Sequence, residues 1–258
     1  MVPPVWRHVA RCFWEQRIGP GESSYPQRVL PDGCADVLVA PSGHAFVVGT
    51  ATGATVAYGA PGSVVRGLRL RPSGVRAVLG VPAAELRDRK VPLDAVLGSP
   101  LAREAADAVL AAGTRRSRRV TAWLSDAMPK PRVAAACRWL WCSSEVDVAD
   151  VAVDVSLSAR QLRRVLRDEV GLGPKTFQRV GRLHRFLTIA ERAGEPWALV
   201  ESALAAGYSD QAHLGREIQE LAGTTPLRLL REREVGWRMA ETVTGSPSAV
   251  VPADHGAW

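Results

Sequence analysis

Four arginines at 160, 163, 164 and 167 fall at the spacing that places them along the outer side of one helix. A guanidinium is a planar fork of donors that matches both the edge of guanine and a phosphate oxygen pair, so this set could do the chemistry of nucleic-acid recognition. Some fifty residues on, Gln211 and Arg216 offer the same kinds of contact, glutamine being suited to adenine and arginine to guanine. Ala212 and Gly215 take the neighbouring outward positions and bring little that could contact a base. Lys175, between the two sets, is counted with them. This is binding chemistry. Cys34 with His44 could be imagined as nucleophile and base, or with Asp36 as metal ligands. No glycine-rich phosphate loop, G-x-S-x-G elbow or H-E-x-x-H motif accompanies them, so the chain is expected not to be an enzyme and to need no cofactor or metal.

The elements that must position these side chains occur twice. Residues 152–174 read AVDVSLSARQLRRVLRDEVGLGP, and residues 203–226 read ALAAGYSDQAHLGREIQELAGTTP. With one extra residue in the second turn, Leu162 answers to Leu214, Arg164 to Arg216, Leu166 to Ile218, Gly171 to Gly223 and Pro174 to Pro226, each 52 positions apart. In the first copy, Val148 to Val155 form a short apolar-faced helix with small Ala152 at its contact, and Ser156 and Leu157 break it. Ser158 and Gln161 then form a capping box, Leu162, Val165 and Leu166 face inward, and Gly171 ends the second helix. In the second copy Ala203 packs closely, Gly207 makes the turn, and Ser209 or Asp210 caps the helix that follows. A lone His213 is expected to support that turn rather than bind metal. Between the copies a helix to about Ala193 would span about 30 Å, which suits major-groove turns recurring every ~34 Å.

The strings GLGPKTFQRVGRLHRFL from Gly171 and GYSDQAHLGREIQELAGTTP from Gly207 resemble the two signature stretches of the AraC/XylS-type transcriptional regulators. The resemblance covers about Pro131 to Arg233. It implies two helix-turn-helix units joined by one linker helix, with base-reading roles on Arg160, Arg163 and Arg164 and on Gln211, Ala212, Gly215 and Arg216. The turn glycine frequent in the family's first unit is Ser156 here. Ala212 and Gly215 lack the side chains that would make specific contacts, so specificity is expected to lean on the first reader.

Composition sets the frame. The 258 residues carry a net charge of +7, which suits a polyanionic partner. Residues 159–185 hold 8 basic and 2 acidic side chains, while 186–235 hold 5 and 8, so the basic footprint is placed around the first reader and the linker helix. No apolar run approaches the ~20 residues of a membrane span, and charges interrupt the N-terminus where a signal peptide would be apolar, so a cytoplasmic location is expected. Cys12, Cys34, Cys137 and Cys142 lack zinc spacing and are expected as reduced thiols. Trp139, Trp141 and Trp197 read as core.

The fold class expected is α+β: a β-rich domain over 1–113, a basic, proline-containing linker over 114–130, the double helix-turn-helix over 131–235 and a flexible tail over 236–258. Strands are expected at Asp36 to Val39, His44 to Val48, Thr55 to Tyr58 and Val64 to Leu70, and helices at Leu86 to Leu97 and Leu101 to Ala112. LPDGCADVLVA with GLRLRPSGVRAVLGVPAAEL resembles one actinobacterial version of the family's N-terminal sensor. Arg69 and Arg71, two apart on a strand, could form a cationic site for an anionic small-molecule effector, or could pair with Asp32, Asp36 or Asp88 to fix the fold. Cys34, between Asp32 and Asp36, could be a redox or alkylation sensor or a buried structural thiol. The partners expected are promoter or operator DNA, such an effector, RNA polymerase and a second copy of the chain. A regulator or architectural protein without any ligand stands beside this reading.

Overall fold

The computed structural model describes residues 2–19, 26–111, 118–143, 146–193 and 199–243, with side chains to 234. Strands β1 (Ala10–Arg17), β2 (Pro26–Val29), β3 (Ala35–Val39), β4 (Ala45–Val48), β5 (Thr55–Tyr58) and β6 (Val64–Leu70) come first. Helices α1 (Val75–Leu79) and α2 (Ala83–Leu86), strand β7 (Lys90–Pro92), and helices α3 (Leu93–Leu97), α4 (Ser99–Leu110) and α5 (Arg118–Ser125) follow. The C-terminal part is helical: α6 (Pro131–Cys142), α7 (Val148–Asp154), α8 (Ala159–Val170), α9 (Pro174–Ala193), α10 (Leu199–Ala206), α11 (Gln211–Ala222) and α12 (Pro226–Val243). The architecture is α+β.

Five strands form an antiparallel sheet in the order β1-β6-β3-β4-β7, and β2 pairs with β5 in a separate ribbon. The large sheet has two unlike faces because side chains alternate along each strand. Val37, Val39, Val47, Leu68 and Leu70 turn to one face, where Ala102, Ala105 and Ala108 of α4 let that helix lie close. Arg69 points the other way, opposite Cys12 on β1 and Asp36 on β3. Gly67 leaves room there for the Trp14 indole, since a Cβ would lie 2.2 Å from it.

The buried apolar residues fall into two clusters, one from Val2 to Ala127 and one from Val133 to Leu229. Four expectations change. The helix over Leu86 to Leu97 is broken by β7, because Asp88 takes a left-handed φ of 57° and Pro92 cannot supply a helical amide. The linker is helical from Arg118, where Val120 and Leu124, one turn apart, are buried in the first core; its residues 114–117 lie outside the described residues. Helix α12 continues the chain to Val243, well into the expected tail, of which 244–258 lie outside the described residues. Trp141 is core, whereas Trp139 is 50% exposed, and Trp197 lies outside the described residues.

The two helix-turn-helix units share one backbone pattern. In the first, the Ser156 amide donates to Val153 O at 2.8 Å and the Leu157 amide to Ala152 O at 2.8 Å. In the second, the Gly207 amide donates to Leu204 O and the Tyr208 amide to Ala203 O, both at 2.9 Å. The turn residue is left-handed in each, φ 55° at Ser156 and 90° at Gly207. A side chain at such a φ costs roughly 1 kcal/mol. Ser156→Gly is therefore expected to raise folding stability by about 1 kcal/mol, measured by chemical denaturation; a loss of stability would contradict the strain.

Candidate nucleic-acid interface

Helix α8 shows why the arginines are available. Leu162 and Leu166 are fully buried on one side, each contributing about 1.5–3 kcal/mol relative to exposure, so the helix cannot rotate without losing its core. Arg160, Arg163, Arg164 and Arg167 are consequently exposed, and among the described residues none of them has an ion pair. Ser158 Oγ accepts from the Gln161 amide at 3.2 Å while Gln161 Oε1 accepts from the Ser158 amide at 2.8 Å, completing the capping box. Gly171 closes the other end at φ 87°.

Helix α11 repeats the plan with weaker tools. Leu214, Ile218 and Leu221 are buried, and Gln211, Ala212 and Arg216 are exposed. Gly215 is half-buried, yet a Cβ there would meet nothing within 4 Å. Asp210 is the cap, accepting from the His213 amide at 2.6 Å. His213 Nδ1 accepts from the Ser209 amide at 3.3 Å, so this histidine braces the turn.

What the sequence does not reveal is how α11 is anchored. Glu217 is 3% exposed and lies 3.2 Å from Arg179 and 3.8 Å from Arg182, both on α9. Arg179 also pairs with Glu220, and Arg185 donates to Trp141 O. These three linker arginines thus serve the protein interior. The basic footprint contracts to α8 and Lys175, which is exposed at the start of α9. A glutamate at a core-facing helical position, near linker arginines, was the available signal.

The N-terminal candidates form a different arrangement. Arg69 lies 3.1 Å from Asp32 and 2.9 Å from Asp36, and Trp14 Nε1 donates to Asp36 at 2.8 Å. Arg71 lies just beyond β6, where its Nε donates to Arg7 O at 2.6 Å. Asp88 bonds Thr52 instead. Burial works to raise the Asp32 carboxyl, but the Arg69 charge, His184 and the Cys34 amide outweigh it and hold it below its ordinary value. Cys34 is buried, and burial pushes its thiol far up, away from the thiolate needed for reactivity. Cys34 and His44 sit at opposite ends of the β3–β4 hairpin, so the structure does not bring them together. An open groove of about 420 Å³ is lined by Lys130, Pro131, Arg132, Val133, Leu157 and Val165, and by none of these candidates. No group of three or more metal-ligating side chains occurs among the described residues, and no described helix is long and apolar enough to cross a membrane.

Residues 151–232 match a family model described as a helix-turn-helix domain. The helix-turn-helix domain is of the AraC/XylS type. Residues 4–92 match a domain of unknown function (DUF6597). A comparison with curated proteins gives no match. Among solved structures, a lysine-to-alanine variant of apo ToxT from Vibrio cholerae is similar at 10% identity and a TM-score of 0.38, over 87% of this chain and 95% of that one.

Two outcomes follow for the buried charges. Arg69→Met leaves Asp32 and Asp36 without their cation and is expected to cost about 3–5 kcal/mol, read by urea denaturation; a change below about 1 kcal/mol would show the pairing to be incidental. His184 of α9 bonds Pro31 O at 2.8 Å and stacks on Trp141, and burial lowers its imidazole to about 4 from 6.5. Its neutral form is the folded one, so its contribution is complete above pH 6.5 and is lost as pH falls from 6.5 towards 4. The melting temperature is expected to decline across that window, and less steeply in His184→Gln. Equal slopes in the two proteins would remove His184 as the cause.

Proposed function

We propose that the chain is a sequence-specific transcriptional regulator whose helices α8 and α11 enter adjacent major-groove segments, with α8 supplying most of the discrimination. The observation that carries this is the set of Arg160, Arg163, Arg164 and Arg167, exposed and, among the described residues, without ion pairs, on a helix whose opposite face is locked in the core. Arginines of that kind have no competing carboxylate to release before they bind a base edge or a phosphate. Gln211 and Arg216, with the small Ala212 and Gly215 between them, give α11 room to approach a groove but fewer specific contacts. Lys175 adds a phosphate contact where the linker helix begins.

In the same reading the residues before the linker form a separate control domain and those from about 131 onward the DNA-binding domain. Control by a small molecule belongs to the N-terminal domain. There Arg69, Asp32 and Asp36 act as a closed frame, since an anion at Arg69 would compete with two carboxylates already in place. Cys34 lies between Asp32 and Asp36 in the chain and Arg71 two residues after Arg69, and effector-dependent footprinting separates a ligand-controlled regulator from a ligand-independent one.

Selection of bound duplexes from a random pool by the full chain is expected to return a site with two blocks, the α8 block being the more constrained. Substituting Arg163 or Arg164 by alanine should cost about 1–3 kcal/mol at particular bases, and Lys175→Ala should weaken all duplexes alike while reducing the salt slope by about 1. No enriched sequence, or alanine variants that bind as the parent does, would end this reading.

A further inference from the structure

The carboxyl ends of the two reading helices meet one loop of the N-terminal domain. Residues 49–54, Gly-Thr-Ala-Thr-Gly-Ala, run from β4 to β5. Near its start Thr50 Oγ1 donates to Val170 O, the last residue of α8, at 2.6 Å. At its end the Ala54 amide donates to Leu221 O of α11 at 2.7 Å. Arg28 on β2, the neighbour of β5, donates to Ala222 O at 2.7 Å and pairs with Glu232 of α12 at 2.9 Å. The carbonyls at a helix end have no partner within the helix, and here the other domain supplies them.

The loop is itself held. Asp88 donates its amide to Thr50 O at 3.0 Å, and its carboxylate accepts from the Thr52 amide at 2.7 Å and the Thr52 hydroxyl at 2.8 Å. It does so from a left-handed φ of 57°, a conformation kept only where the surroundings over-determine it. Thr50 is fully buried, and Gly49 lies so close to α2 that a Cβ would fall 1.9 Å from Leu86 O. Arg76 of α1 adds an ion pair to the α8 end, 3.6 Å from Glu169.

We propose that loop 49–54 is a tie that fixes the relative placement of α8 and α11, with Thr50 and Asp88 as positioning residues for DNA reading. The proposal rests on the two-helix reading given above. Four residue steps from Thr50 to Ala54 span at most about 14 Å, so the tied carboxyl ends stay well inside the ~34 Å groove repeat. For both helices to enter successive grooves, their amino ends must diverge from that point or the duplex must bend toward the protein. The tie therefore sets the spacing between half-sites that the protein accepts, a task that linker α9 alone does not perform.

The test uses the full chain and the duplex it selects from a random pool, with that duplex also prepared with one base pair inserted or deleted between the blocks, and with the α11 block scrambled. The unsubstituted protein is expected to lose about ten-fold or more in affinity when the spacing changes, a rigid reader being unable to follow the ~34° rotation per base pair implied by 10–10.5 base pairs per turn. Thr50→Val and Asp88→Asn should bind the selected spacing about three- to ten-fold more weakly, the effect of one or two lost hydrogen bonds. They should discriminate less among spacings and bind the single-block duplex as the parent does. Undiminished spacing discrimination in both variants overturns the tie, as does an equal loss on the single-block duplex. Arg28→Gln, which loosens the α11 end and its neighbouring contact with Glu232 of α12 but leaves Thr50 and Asp88 in place, decides the matter if circular dichroism shows the other two unfolded. A selected site with a single block overturns the two-helix reading and the tie with it, whereas a two-block site with parent-like variants overturns the tie alone.

Discussion

A helix ends with carbonyls that its own backbone cannot satisfy, and at a buried end something else must donate to them. In this protein that requirement is met for α8 and α11 across the boundary between two hydrophobic cores, through Thr50, Ala54 and Arg28. Each such bond is worth only about 1 kcal/mol net, but leaving one unmade in a dry interface costs more than making it contributes. The N-terminal sheet and helices α8 and α11 are thereby placed by the same set of bonds. Other contacts act at the same seam. Phe177 of α9 leaves no space for a Cβ at Gly33, and His184 bonds Pro31 O.

Charge is partitioned by what each arginine has beside it. Arg28, Arg69, Arg179 and Arg182 have carboxylates within 4 Å, and Arg185 donates to a backbone carbonyl. These hold elements together. The α8 arginines lack such partners among the described residues, because the acidic side chains nearby, Asp168 and Glu169, lean toward Arg76 and Lys130. The net charge of +7 is thus a poor guide to where a polyanion would bind, and the pairing of individual guanidinium groups is a better one.

The duplicated units are alike in backbone and unlike in duty. Both turns use the same pair of amide-to-carbonyl bonds and a left-handed residue, and both second helices begin with a side-chain cap. Both helices bury an apolar face and one carboxylate, Glu169 of α8 pairing with Lys130 and Arg76 and Glu217 of α11 with Arg179 and Arg182 of α9. One copy carries a dense basic face and the other a sparse one.

The sequence by itself determined helices α8 and α11, their caps and their outward faces, because each of those depends on residues three or four apart: Ser158 with Gln161, Leu162 with Leu166, Gly171 and Gly223 at helix ends; it did not determine α12, which runs on to Val243 where a tail was expected. It also carried four of the strands, whose alternation is local. It did not carry β1, β2 or the interruption of Leu86 to Leu97 by β7, since strands of this kind are defined by distant partners such as Val64 to Leu70 or Ala45 to Val48. Nor did it tell which arginines would be consumed by ion pairs, or that Thr50 and Ala54 would meet Val170 and Leu221, more than a hundred residues away in the chain. Those outcomes were decided only by the tertiary structure, because burial and the demand for a partner arise when separate segments pack, and no periodicity along the chain records them.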